Sequence, residues 1–231
     1  MEEAPCISQI ASLLADPKRT AMLWALMDGS AKSSQDLARL AGLSSASANA
    51  HLARLTCSGL LRTEGRRGQR LFRVAAPDVS AAIDALASTT VASAVRRAPN
   101  VVLSPLAAPP SLRRARLCHG HLGGELAARL YERMLASGWI ERHEHRTEVT
   151  AKGAQQLAGV GIFTQALATP LVCDCFDWSQ QYPHLGGALG AGLLQLFLQS
   201  NWISMVSDSR ALVVHDIGQV EISRLAASEP S

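Results

Sequence analysis

Aromatic side chains are scarce in this chain: two Tyr, four Phe and four Trp make up only 4% of its 231 residues. Large sheets draw on aromatic and β-branched side chains, so a composition poor in aromatics and rich in Ala excludes an extended β architecture and favours helices. Cysteine is sparse as well. The five cysteines, at 6, 57, 118, 173 and 175, are odd in number and lack the spacing of a secreted disulfide framework. That predicts free thiols in a cytoplasmic protein. The longest apolar run, near Leu185–Leu198, is too short and too interrupted by glycine to span a bilayer, and reads as a buried helix; no membrane partner is expected. Glu2 and Glu3 open the chain without a following apolar stretch, which is not the pattern of a signal peptide. A P-loop, a dinucleotide glycine fingerprint and a Gly-x-Ser-x-Gly elbow are all missing, so an enzyme is not expected. Cys118 beside His119 makes no nucleophile–base pair, because adjacent side chains rarely face each other.

What the chain does hold is concentrated positive charge on a recognisable pattern. From Lys32 to Arg73 there are eight Lys/Arg against two acids, a local +6 in a chain whose total is +3, which leaves the remainder at −3. Ser33 followed three residues later by Asp36 is a capping box. Leu37, Leu40 and Ala41 recur at helical spacing, and Gly42 suits the left-handed stop. Ser44 caps a second helix whose buried stripe is Ala48, Leu52 and Leu55 and which Gly59 ends. The face opposite that stripe carries Ser45, Ser47, Asn49, His51 and Arg54, with Ser44 at its start. Short polar groups, a ring donor and a cation suit the base edges of the major groove. Leu60–Thr63 and Arg70–Val74 then flank a turn containing Arg66, Arg67 and Gln69. With Arg70, this is a hairpin with a basic tip for backbone phosphate or a minor groove. The expected partner is double-stranded operator DNA.

Before this segment, residues 6–15 form a short amphipathic helix, and Asp16–Pro17 restart a second helix through Met27. After it, Pro77 and Asp78 begin a helix of small apolar residues, VSAAIDALASTTVASAV. A helix so lacking in charge needs a partner surface, which predicts a homodimer matched to twofold operators. Four of the ten prolines fall at 99, 105, 109 and 110, which marks a linker. Arg96, Arg97, Arg113, Arg114 and Arg116 flank it, which suits a stretch lying near phosphate and equally a solvated basic hinge.

The segments LLADPKRTAMLWALMDGS, DLARLAGLSSASANAHLARLTCSGLL and EGRRGQRLFRV, taken in order, resemble the ArsR/SmtB family of winged-helix bacterial repressors over residues 6–95. The resemblance implies a homodimer joined by its first and last helices, promoter repression, and release of DNA when an effector binds. It makes the helix at 44–58 the recognition helix and assigns Arg66, Arg67 and Arg70 to the wing. The sequence departs from the family in two ways. The helix before the recognition helix has no Cys or His, and the last dimerisation helix offers only Asp84, so neither usual metal site is present. A tail of more than a hundred residues also follows.

That tail is a duplication. HLGGELAARLYERMLASGWIER at 121–142 aligns with HLGGALGAGLLQLFLQSNWISM at 184–205, each followed by a short hairpin and a short helical run, which argues for two units about a pseudo-twofold axis. The glycine pairs predict close helix–helix contact at that axis. The expected fold class is therefore mainly α with small β-hairpins (α+β). An N-terminal winged helix-turn-helix, 1–97, carries DNA binding and dimerisation. A Pro-rich linker, 98–112, leads to a C-terminal sensor or dimerisation domain, 113–231, of two degenerate helix–hairpin repeats at about 113–167 and 168–231. Cys118, His119 and His121 open the first repeat; Cys173, Cys175 and His184 open the second. Thiolate and imidazole suit a soft ion (Zn, Cd, Pb, Hg or As) as effector, with Pro170 placing Cys173-x-Cys175 in a loop. Two other effectors stay open: an organic ligand among Trp139, Trp178, Trp202, Tyr182 and Phe176, and thiol oxidation. An adaptor whose tail binds a protein partner is the alternative to an effector-released repressor. His143–Glu144–His145 reads as a solvated hairpin tip.

Overall fold

The computed structural model describes residues 7–66, 68–97, 109–144, 146–176, 178–179 and 183–227. The chain is mainly α with small antiparallel hairpins, and it divides into two compact units. Unit 1 comprises Met1–Ile83, Leu106–Pro110 and Ser207–Arg210; unit 2 comprises Asp84–Pro105, Ser111–Val206 and Ala211–Ser231. Cys6 and most of the Pro-rich linker lie outside the described residues, and the linker's last prolines lead into a short helix.

Unit 1 begins with α1 (Ile7–Leu14) and α2 (Pro17–Leu26). Asp16 caps α2, its carboxylate accepting from the backbone N–H of Lys18 and Arg19 at 2.9 and 3.0 Å, and Pro17 costs nothing at the first position, where its missing N–H has no helical partner. These bonds, the Arg19 N–H first, hold the Asp16 carboxyl below the ordinary carboxylate range. A carboxylate with a lowered folded-state pKa contributes stability above its ordinary range and loses it as the pH falls through the lowered value. Asp16→Ala is expected to cost about 1 kcal/mol near neutrality. The gap between wild type and variant should close on acidification; urea unfolding at a series of pH values checks both.

The strand β1 (Lys32–Ser33) leads to α3 (Ser34–Ala41) and α4 (Ser45–Cys57). Ser33 Oγ accepts from Asp36 N at 3.1 Å and donates to the Asp36 carboxylate at 2.7 Å. Gly42 sits at φ 63°, and Ser44 Oγ accepts from Ser47 N. The strands β2 (Leu61–Arg66) and β3 (Gln69–Val74) pair antiparallel, with β1 on the outer edge of β3. Leu37, Leu52, Leu55 and Phe72 close the core under the hairpin, with Leu23 and Leu26 from α2. Next comes α5 (Pro77–Arg97), whose residues from Asp84 onward belong to unit 2.

After the α5 residues from Asp84 onward, unit 2 takes in all but the first residue of α6 (Pro110–Arg114) and then shows one element order twice. The first pass is β4 (Arg116–Cys118), β5 (His121–Gly123), α7 (Glu125–Ala136), β6 (Ile140–His143), β7 (Arg146–Val149) and α8 (Ala151–Gly159). The second is β8 (Cys173–Phe176), β9 (Pro183–Gly186), α9 (Gly187–Gln199), β10 (Ile203–Met205), β11 (Leu212–Val214) and α10 (Asp216–Arg224). The packing is crosswise: α9 lies on β5 and α7 on β9. Leu122 and Leu185, Trp139 and Phe197, and Ile140 and Ile203 meet in one shared core.

The glycine pairs have a different role from the one expected. They stand at the helix starts: Gly124 caps α7, Gly186 caps α9, and Gly187 is the first residue of α9. Gly124 (φ 93°) and Gly187 (φ 73°) hold left-handed conformations against the carbonyls of Arg113 and Leu171 respectively. Gly123 and Gly186 leave room for a histidine of the other repeat: a β-carbon at Gly123 would lie 3.5 Å from His184 Nε2, and one at Gly186 3.3 Å from His121 Cε1. A second difference concerns Cys173 and Cys175, which stand in β8 rather than in a loop.

Candidate functional site

Ala48, Leu52 and Leu55 bury one stripe of α4. Ser44, Ser45, Ser47, Asn49 and Arg54 lie exposed away from it. His51 stands apart from this set: it is half-buried, with Nδ1 3.9 Å from the Asp16 carboxylate. Cys57 is exposed at the helix end. In the hairpin, Gln69 and Arg70 are exposed near the tip, and the Arg70 guanidinium lies 5.3 Å from the Phe72 ring centre. Arg67 and the Arg66 side chain lie outside the described residues. Arg73, lower on β3, is paired with Glu64 at 3.5 Å. The surface is thus a polar helix followed by a hairpin on which the described outer residues Gln69 and Arg70 are exposed, and polar helix plus basic hairpin is the combination that groove contact with phosphate neutralisation requires.

A second constellation lies within unit 2. Cys118 and His121 are direct partners across the β4–β5 hairpin, and Cys175 and His184 are direct partners across β8–β9. Cross-strand partners project to the same face of a hairpin. His119 and Gly120 form the two-residue turn of the first hairpin with φ of 45° and 83°, as the favoured hairpin turn requires. The two hairpins bring all four side chains together. His121 Nε2 lies 3.1 Å from His184 Nε2 and Cys118 Sγ 3.8 Å from Cys175 Sγ, and all four ligand atoms fall within 4.8 Å of one another. Cys118, His121 and His184 are buried and Cys175 is half-buried. The Cys118 thiol is pushed up to about 12 by its hydrogen bond with Cys175 and by burial, while the two imidazoles pull the other way. Of the six cysteines and histidines expected to sense something, Cys173 is exposed and outside this group. His119 is exposed, its Nδ1 3.4 Å from Cys118 Sγ.

Over 223 residues the chain is 29% identical to YdfF of Bacillus subtilis (strain 168), described as an uncharacterized HTH-type transcriptional regulator; the match covers 95% of this chain and 96% of that one. The chain is a winged helix-turn-helix transcriptional regulator. No family model matches it. Among solved structures, the regulator is similar to the homodimeric winged helix-turn-helix domain of Mb0332 from Mycobacterium bovis, a possible ArsR-family regulator. That likeness has 20% identity and a TM-score of 0.35, covering 42% of this chain and 87% of that one. It is also similar to the cadmium sensor CMTR of Mycobacterium tuberculosis, with 30% identity and a TM-score of 0.31, over 35% of this chain and 82% of that one. No helix among the described residues is long and apolar enough to cross a membrane.

The sequence reading missed a buried network beside the cysteines. Arg116, placed by its sequence neighbours at a basic linker, is fully buried and donates from Nε to Asp84 of α5 at 3.1 Å. Its guanidinium lies 4.2 Å from the Trp178 ring, and Trp178 Nε1 donates to the same carboxylate. Cys118 Sγ is 3.7 Å from the other Asp84 oxygen. The single charge in the small, apolar stretch from residue 79 to 95 of α5 was the available signal for Asp84. Of the aromatics proposed to line an effector pocket, Trp139 and Trp178 are buried, Trp202 packs on Phe197 at 5.6 Å, and Phe176 is half-buried with the Arg142 guanidinium 5.9 Å from its ring centre. Tyr182 and His145 lie outside the described residues.

Proposed function

We propose that this regulator is a homodimeric repressor that leaves its operator when an effector, a soft metal or metalloid ion, binds in unit 2. α4 enters the major groove with Ser45, Ser47, Asn49 and Arg54 toward base edges. Ser44 at its start and His51 at its margin reach backbone, and Arg66, Arg67, Gln69 and Arg70 of the wing lie along phosphate. The observation that carries the reading is the exposed polar face of α4 directly preceding a hairpin whose described tip residues are free of acids. Self-association is supported by apolar surface on the two helices expected to dimerise: Ile7 of α1 is 88% exposed and Leu86 of α5 57%. A twofold pair of recognition helices suits half-sites about one helical turn, roughly 34 Å, apart.

The test begins with operator selected from random duplexes by the full-length protein. Asn49→Ala is expected to weaken that operator about tenfold, a loss within the range of one base contact, while leaving random DNA unaffected. Arg70→Ala should weaken all sequences alike and reduce the salt slope by about 1. Equal losses on operator and random DNA for Asn49→Ala would remove base reading from α4. A monomer by analytical ultracentrifugation at operator-binding concentrations would remove the dimer.

A further inference from the structure

We propose that Cys118, His121, Cys175 and His184 hold one zinc-class divalent cation in a tetrahedral site shared by the two repeats. Each repeat supplies one cross-strand cysteine–histidine pair from its first hairpin, and the pairs face each other. The spacing is that of zinc coordination. Tetrahedral bonds of about 2.3 Å to sulfur and about 2.05 Å to nitrogen place two sulfurs about 3.8 Å apart and two nitrogens about 3.3 Å apart. The sulfurs here are 3.8 Å apart and the nitrogens 3.1 Å. Two sulfurs with two nitrogens in a tetrahedron is a donor set that suits zinc.

Charge agrees with the burial. Binding releases the two thiol protons to solvent, and a dication with two thiolates and two neutral imidazoles has no net charge, which a buried site tolerates. The small residues agree too. A β-carbon at Gly123 would fall 2.9 Å from Cys118 Cβ and one at Gly186 3.3 Å from His121 Cε1, so a side chain at either position would press on a ligand residue. Half-buried Cys175 leaves the cation a way in. Because His121 and His184 are 63 residues apart, the cation cross-links the two repeats and stabilises the folded unit by mass action. The site stands on this geometry alone; that its cation is the effector rests on the repressor reading above.

The experiment uses full-length protein kept reduced with a phosphine, stripped with chelator, desalted, and titrated with zinc chloride or cobalt chloride. The expected result is one cation per chain and a raised melting temperature. Cobalt should give the strong visible bands of a tetrahedral ion with a thiolate charge-transfer band, which zinc bleaches. Cys175→Ser, at a half-buried position that tolerates the change better than Cys118, should abolish the tetrahedral spectrum in a protein that still folds by circular dichroism. Cys173→Ser and His119→Ala should keep it. Folded wild-type protein without a tetrahedral cobalt spectrum, or loss of that spectrum in Cys173→Ser, overturns the site. Operator affinity is measured on the same samples. Zinc uptake that leaves it unchanged upholds the site and overturns the effector role, whereas intact operator binding without zinc uptake overturns the site and leaves the regulator reading standing.

Discussion

Arg116→Leu is expected to destabilise unit 2 by about 3–5 kcal/mol, the usual result of removing one partner of a buried ion pair. Both side chains of the Arg116–Asp84 pair are 1% exposed, so the abandoned Asp84 carboxylate would have no access to water. The magnitude comes from that stranded charge more than from the worth of the pair itself. Two consequences separate this account from a packing defect. The double variant Arg116→Leu with Asp84→Leu should recover part of the loss, because no charge is then buried alone. Recovery should be incomplete, since Trp178 Nε1 also donates to Asp84 and would lose its acceptor. Chemical denaturation of the four proteins completes the cycle. A double variant no more stable than Arg116→Leu would show that lost volume, not charge, sets the cost.

Gly153→Ala and Gly218→Ala should each destabilise by about 1–3 kcal/mol, toward the upper end. The sign is the informative part. In a helix Ala is favoured over Gly by about 1 kcal/mol, and both glycines lie early in a helix, in α8 and α10 respectively. A β-carbon at Gly153 would, however, fall inside the carbonyl group of Trp139, and one at Gly218 inside that of Trp202. Those carbonyls are held by backbone hydrogen bonds from Thr150 and His215, at 3.1 and 3.0 Å, so neither can retreat without opening a hairpin. The steric cost therefore exceeds the helix preference. Thermal unfolding of the two variants is the measurement, and stabilisation by either would mean that the close approach can relax.

Much of this was legible in one dimension because it is local. Ser33 with Asp36, Gly42, Ser44 and Asp16 mark helix ends through bonds spanning two or three residues, and the structure forms them there. The helical stripe of Ala48, Leu52 and Leu55 is likewise a matter of spacing. The duplication was visible because His121-Leu122-Gly123-Gly124 returns unchanged at 184–187. Three readings failed where distance along the chain became distance in space. Arg116 looked like part of a basic linker because its neighbours are arginines, yet its partners are 32 residues away on α5 and 62 away at Trp178. The tryptophans looked alike in sequence, yet Trp139 is core, Trp202 packs against the core half-buried, and Trp178 donates to Asp84. The glycine pairs looked like helix-packing residues, but their contacts are a carbonyl of the preceding segment and a ring of the opposite repeat.

The sequence by itself determined the helix boundaries, the polar face of α4, the basic character of the wing and the existence of two repeats, since each follows from residue type and short-range spacing. Tertiary structure alone decided which cysteines and histidines meet. Strand register puts Cys175, and not Cys173, across from His184. The crosswise packing of the two hairpins then sets that pair against Cys118 and His121. Register and packing depend on the whole buried surface of both repeats, which no local pattern encodes.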